Sequence, residues 1–174
     1  MAHMYANGSE LFCEPSSCRA MEPSSNCGQP LFSPGDLDKE FSLRGINVQE
    51  QWARRIYAGE KTVEARTWKP GSYADQLLWV IETPDKPRSN KRTHAEITGV
   101  IRFGNADAYA SYKVWRDDFK RHCVPAGSTF DWSPEDTNMF AWEITEARKL
   151  AVPVPAPRVR GVRGCKEYTA RVMF

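Results

Sequence analysis

Residues Trp52–Trp68 read WARRIYAGEKTVEARTW, and this stretch decides the predicted fold because two periodicities meet in it. Large apolar residues recur at helical spacing at its start, which predicts a helix over Gln49–Ala58. Gly59 then stands where the residue after a helix C-cap often takes a left-handed backbone. The following residues, Lys61–Trp68, alternate between two faces and therefore predict a strand.

The polar residues of that strand are the candidates for a functional site. Thr62, Glu64 and Arg66 share one face, whereas strict alternation puts Lys61 on the opposite face. A cleft that holds Lys61 together with Glu64 and Arg66 requires the chain to bend at Gly59–Lys61. Glycine permits such a bend because it has no Cβ.

Apolar runs on either side of this stretch predict five further strands and a second helix. The strands are predicted at Leu43–Val48, Gln76–Thr83, Ala95–Phe103, Met139–Leu150 and Thr169–Phe174, and the helix at Ala108–His122. Gly99 interrupts one strand, where a glycine allows a bend or a bulge. The chain is therefore expected to form an α+β domain, a small mixed β-barrel with two or three flanking helices.

The N-terminal region has a different composition from the rest of the chain. Residues 1–40 are rich in Pro, Ser, Gly and Cys without hydrophobic periodicity, which predicts a flexible tail before a domain over residues 41–174. The first four residues, Met-Ala-His-Met, read as vector-derived. Cys13, Cys18 and Cys27 lack the paired spacing of a zinc site and have no histidine at ligand distance. Neither a metal nor a cofactor is predicted.

The charge balance excludes a protein that coats duplex nucleic acid without specificity. Lys and Arg number 24 against 22 Asp and Glu, a formal net charge of +2. Basic residues nevertheless concentrate towards the C-terminus, where Arg160 and Arg163 are candidate phosphate contacts. The alternative is that these arginines form an ordinary solvated edge.

The chain lacks the sequence signals of membrane insertion and secretion. No apolar run reaches the ~20 residues needed to cross a bilayer, and the start of the chain lacks a secretory signal pattern. An intracellular location, cytoplasmic or nuclear, is expected, whereas the oligomeric state is not predicted.

The central stretch resembles the signature of the ASCH domain family, part of the PUA-like superfamily. That signature is a W-A helix followed by G-x-K-x-x-E-x-R, matched here by Gly59, Lys61, Glu64 and Arg66, with Trp68 at the position of a common aromatic. The resemblance continues less sharply through the strand FAWEITEARKL and the VPVP segment, and covers residues 43–165.

This resemblance implies a five- or six-stranded barrel related to RNA-binding PUA domains. The signature would line a cleft for RNA or a nucleobase. One bacterial branch of the family hydrolyses the acetyl amide of N4-acetylcytidine, another member is described as a ribonuclease, and members attached to transcription coactivators look like DNA or RNA binders. The expected partner is therefore RNA, another single-stranded nucleic acid or a modified nucleoside.

The residue types suit a nucleotide. Lys61 is a compact cation for a phosphate or carbonyl, and the planar fork of Arg66 suits a phosphate or a base edge. Glu64 accepts hydrogen bonds from an exocyclic amine, and Trp68 offers a ring for base stacking. The alternative is structural: Glu64 and Arg66 would form an ion pair on a strand face, and the tryptophans would be core.

Two other functions stay open. The amidohydrolase branch has a threonine, the proposed nucleophile, where this chain has Glu64, so catalysis here would need Glu64 as general base and Lys61 as electrophile. A protein-interaction module recruiting its partner through residues 1–40 is the other alternative.

Overall fold

The computed structural model describes residues 39–84, 94–133, 138–157 and 167–174, all within one compact unit of residues 34–174. Six strands, three short α-helices and one turn of 3-10 helix (Gly71–Tyr73) are the elements of the described residues. The strands are β1 (Lys39–Gln49), β2 (Val63–Arg66), β3 (Leu77–Thr83), β4 (Glu96–Ala108), β5 (Phe140–Pro155) and β6 (Glu167–Val172). The helices are α1 (Glu50–Tyr57), α2 (Tyr112–Asp117) and α3 (Phe119–His122).

The six strands form one mixed sheet in the order β2-β5-β4-β3-β1-β6. The first half of β1 pairs antiparallel with β6 and its second half pairs parallel with β3. Beyond β6, the N–H of Ala151 donates a 3.1 Å hydrogen bond to the carbonyl of Met173. The order nevertheless has two ends, β2 and β6. The α+β class is therefore confirmed, whereas a closed barrel is not.

Helix α1 follows the predicted pattern closely. Its buried residues Trp52, Ala53 and Ile56 lie on one face and join the core formed with the sheet. The helix ends at Tyr57 with Ala58 as its C-cap, and Gly59 has a φ of +73°. The left-handed backbone of Gly59 bends the chain before the next strand, as expected from the sequence for a cleft that holds Lys61 with Glu64 and Arg66.

The second predicted helix is two helices. Residue Ala108 still belongs to β4, and Ser111 caps α2 by accepting a 3.3 Å hydrogen bond from the N–H of Val114. The chain leaves helical geometry at Asp118 and turns into α3. The apolar spacing over 108–122 did not show this break, and the buried residues of the two helices, Trp115 and His122, stack on each other across it.

Strand β5 is longer than predicted and continues through the VPVP segment to Pro155. Its last pairs, Ile97 with Val154 and Glu96 with Pro155, extend the ladder with β4. No described helix is long and apolar enough to cross a membrane.

Candidate functional site

Lys61 precedes β2 rather than lying in it, and this position brings it to Glu64. The N–H of Lys61 donates to the carbonyl of Arg55 at 3.1 Å, so the backbone at Lys61 still belongs to the turn that ends α1. Its Nζ lies 3.4 Å from Glu64 Oε2, and Arg66 Nε lies 2.9 Å from Glu64 Oε1. The three charged residues therefore form one row, with the carboxylate between two cations.

Lys61 is saturated with partners inside the protein. Its side chain is 2% exposed, and Nζ donates 2.7 Å hydrogen bonds to the carbonyls of both Val63 and His122. The third partner of the ammonium group is the Glu64 carboxylate, and an ammonium group has only three hydrogens to donate. Burial lowers the pKa of Lys61, while the Glu64 carboxylate opposes that shift. The sequence predicts that Lys61 contacts a phosphate directly. In this arrangement the Lys61 ammonium group has no free hydrogen to donate to one.

Arg66 is less enclosed, with 13% of its side chain exposed. Its Nη2 donates a 2.6 Å hydrogen bond to the carbonyl of Asn47 in β1, which ties β2 to a strand far from it in the sheet order. Both Glu64 and Arg66 line a cleft. They can meet a ligand there while staying fixed by protein contacts.

The cleft has a volume of about 600 Å³, within the usual range for small-molecule sites. Lys61, Glu64 and Arg66 line it together with Asp131, so its four charged residues carry two positive and two negative groups. Its aromatic lining residues are Trp52, Trp68, Phe130 and Trp132. The sheet also contributes three uncharged polar residues to the lining of the cleft: Asn47, Gln49 and Thr83.

Trp68 lines the cleft as a half-buried residue. Its ring meets Trp142 at 4.5 Å and Tyr73 at 5.7 Å, both edge-on, and its carbonyl accepts a 3.0 Å hydrogen bond from Trp142 Nε1. Trp142 itself is fully buried. Trp68 is therefore a ring on the cleft, whereas Trp142 is part of the core that supports it.

Thr62 lies elsewhere. The residue is exposed, is not among those lining the cleft, and joins neighbouring segments through its backbone: its N–H donates to Arg121 and its carbonyl accepts from Ile144. Arg160 and Arg163, the candidate phosphate contacts, lie outside the described residues, as do Cys13, Cys18 and Cys27. Among the described residues, no three His, Cys, Asp or Glu side chains are grouped as metal ligands.

The segment after α3 supplies cleft residues that the sequence did not single out. Phe130, Asp131 and Trp132 lie in a loop without periodicity, and only the aromatic–acid–aromatic order could have drawn notice. Asp131 Oδ1 accepts from Trp115 Nε1 and Trp132 N, and Oδ2 accepts from Tyr112 Oη and Gly127 N. Burial alone would raise the pKa of Asp131, but these four hydrogen bonds outweigh it and bring the pKa to about 2. The loop is thus organised around a permanent carboxylate.

His122 connects this loop to the charged row. Its ring stacks on Trp115 at 3.7 Å, Nε2 lies 2.8 Å from the Trp115 carbonyl, and Nδ1 accepts from the N–H of Val124. Burial lowers the pKa of His122, which agrees with a neutral ring donating from Nε2. Because its carbonyl also accepts from Lys61, His122 is a structural link and not a free acid–base group.

Fold and site together define a class: a small α+β domain in which a charged row and aromatic rings share a polar cleft. The family model of the ASCH domain matches residues 46–154, and the chain belongs to the ASCH domain family. This match confirms the family that the central stretch indicates. No curated protein sequence matches the chain.

Solved structures agree on the fold. The ASCH protein from Zymomonas mobilis has a TM-score of 0.50 and 16% sequence identity, covering 63% of this chain and 71% of that one. A single-residue variant of the same protein also has a TM-score of 0.50, with 16% identity over 63% of this chain and 73% of that one. At this level of identity the likeness concerns the fold alone.

Proposed function

We propose that the cleft binds one nucleotide unit of RNA or of another single-stranded nucleic acid, with the base directed at Glu64 and Arg66. The carrying observation is that Lys61, Glu64 and Arg66 form one ion-paired row in the lining of a cleft of about 600 Å³ that Trp68 also lines. The family is PUA-like, a fold class associated with RNA binding, and this supports the proposal without selecting a ligand.

Glu64 is suited to a base edge because carboxylate oxygens accept hydrogen bonds. Its carboxylate lies between two cations at 3.4 Å and 2.9 Å, and a carboxylate held in this way keeps lone pairs for hydrogen bonds from a ligand. Exocyclic amines and ring N–H groups of bases are such donors. The guanidinium group of Arg66, beside Glu64, adds hydrogen-bond donors for a ring nitrogen, a carbonyl or a phosphate of the ligand.

Trp68 supplies the apolar half of the recognition. Base stacking on an aromatic side chain is worth about 1–3 kcal/mol and accepts any base, because every base has a π-face. The ring is supported by Trp142 and Tyr73, so little conformational entropy is lost when a base stacks on it. In this arrangement Lys61 is a positioning residue that holds Glu64.

The test is a binding titration by isothermal calorimetry with single-stranded RNA of mixed sequence and the matching DNA. Glu64→Gln and Arg66→Gln should each weaken binding by roughly 10-fold or more, because each removes charge-assisted hydrogen bonds. Arg54→Gln is the matched control, since that side chain is 75% exposed on α1 and outside the cleft. Thermal melting of each variant checks that the fold is intact. Wild-type affinity in a folded Arg66→Gln variant would remove the cleft from consideration.

The same samples test the other two functions. Mass spectrometry of added N4-acetylcytidine would reveal loss of an acetyl group, and the length of recovered RNA would reveal cleavage. A chain lacking residues 1–38 should keep nucleic-acid binding by the cleft. If that deletion instead abolishes every interaction, the tail-mediated interaction module is the better account.

A further inference from the structure

Phe130 is an exposed aromatic residue of the cleft. It lines the cleft and is 39% exposed, whereas Trp52 and Trp132 beside it are only 9% and 7% exposed. Its ring makes an edge-to-face contact with Trp52 at 5.9 Å and an interplanar angle of 88°. The Phe130 ring is therefore packed against Trp52 and is still accessible in the cleft.

The backbone around Phe130 is held in place although its ring is exposed. The next residue, Asp131, accepts the four hydrogen bonds that organise the loop, and the N–H of Phe130 donates to Ser128 Oγ at 3.4 Å. Gly127, with a φ of +69°, gives the turn that allows its own N–H to reach Asp131. The exposed ring is thus presented from a fixed support, which is what a stacking surface needs.

Phe130 and Trp68 pack against different residues of the core. Phe130 contacts Trp52, and the Trp52 ring has Lys61 Nζ 5.4 Å from its centroid. The row then continues through Glu64 to Arg66. Trp68 follows two residues after Arg66 and packs against Tyr73 and Trp142 instead. The cleft therefore has two accessible aromatic rings, Phe130 and Trp68, that are supported by different core residues.

We propose that Phe130 is the stacking surface for a second base, so that the ligand class is a single-stranded oligonucleotide and not a free nucleoside. This inference rests on the proposed function and adds a second subsite to it. One base would meet Glu64, Arg66 and Trp68, and its neighbour in the strand would stack on Phe130. Because a phenylalanine ring has no polar group, this second position would accept any base.

The experiment compares two ligands on the full chain by isothermal calorimetry: the four nucleoside 5′-monophosphates and a mixed-sequence single-stranded RNA hexamer. Phe130→Ala should weaken hexamer binding by about 5- to 150-fold, the effect of one lost stacking contact. The affinity of this variant for the monophosphates should fall by a smaller factor, because Glu64, Arg66 and Trp68 still hold the first base. Phe130→Tyr keeps the ring and should restore hexamer binding.

Phe119→Ala is the matched control, because Phe119 is 44% exposed and does not line the cleft. It should leave both affinities unchanged. Equal weakening of both ligands by Phe130→Ala, or wild-type hexamer affinity in that variant, overturns the second subsite while leaving the proposed function standing. If the wild-type chain binds neither ligand, the proposed function fails and the subsite fails with it.

Discussion

Lys61 shows at the residue scale why a signature residue need not touch a ligand. Its ammonium group reaches two backbone carbonyls and one carboxylate, and it is 2% exposed. These three partners replace part of the hydration that the ammonium group loses, and burial still lowers the pKa of Lys61. The contribution of Lys61 to the site is therefore the position of the Glu64 side chain.

Replacing Lys61 by methionine should lower the free energy of unfolding by about 3–5 kcal/mol, because the buried Glu64 and two carbonyls lose their partner. The double variant Lys61→Met/Glu64→Gln should lose less than the sum of the two single variants, with a coupling of about 0.5–3 kcal/mol. Urea unfolding followed by tryptophan fluorescence measures all four proteins.

Lys113→Met is the control for this cycle. Lys113 pairs with Asp117 on α2 but is 83% exposed, so its loss should change stability by no more than about 1 kcal/mol. Additive effects of the Lys61 and Glu64 substitutions would show that the two side chains are not coupled as the 3.4 Å separation indicates.

At the scale of elements, the ladder between β4 and β5 carries the irregularities that shape the sheet. The register shifts between Ile97 and Gly99 and again on both sides of Phe103. At Gly99 the strand passes so close to its neighbours that an added Cβ would overlap the Arg148 carbonyl and the Tyr57 hydroxyl. Gly99 was expected to allow a bend or a bulge, and the register does shift there; close approach of the backbone explains why a glycine is needed.

Gly99→Ala should therefore destabilise the protein by about 1–3 kcal/mol, the usual cost of overpacking a site bounded by backbone. Gly104→Ala in the same strand is the control, because its added Cβ would lie 2.8 Å from the movable Thr145 Cγ2 and would cost less. Thermal and urea unfolding of both variants compare them. A smaller loss for Gly99→Ala than for Gly104→Ala would contradict the close packing of Tyr57 and Arg148 around this strand.

At the scale of the whole molecule, charge is balanced both overall and within the cleft. The formal net charge is +2, and the two positive groups of the cleft face two negative ones. Such a site attracts a polyanion weakly, so recognition should depend on base contacts more than on phosphate neutralisation. The basic segment with Arg160 and Arg163 is the remaining candidate for phosphate contacts.

Binding of the RNA hexamer should accordingly depend modestly on salt. If Arg160 and Arg163 each neutralise one phosphate, Arg160→Gln/Arg163→Gln should make the slope of log K against log salt shallower by about 1.4. Arg54→Gln/Arg55→Gln, on the exposed face of α1, is the charge-matched control and should leave the slope unchanged. An unaltered slope in the first variant would assign those arginines to a solvated edge.

Local sequence determined a large part of this protein. Helix α1, the bend at Gly59 and strand β2 follow from short-range periodicity and from the freedom of glycine, and so they were predictable together with the family. The presence of β3, β4 and β5 was predictable for the same reason. Their lengths were not, because where a strand ends depends on the pairing partner that continues beside it.

Only the tertiary structure decided which side chains share the cleft and what each one does there. Lys61 is saturated because the carbonyl of His122, 61 residues away, reaches its ammonium group. Phe130 lines the cleft because the neighbouring Asp131 accepts hydrogen bonds from α2 and from its own loop, which hold this segment in place. Such contacts join residues that are distant in sequence, so the periodicity of the sequence carries no information about them. They form because packing removes water from polar groups, which then need partners within the protein.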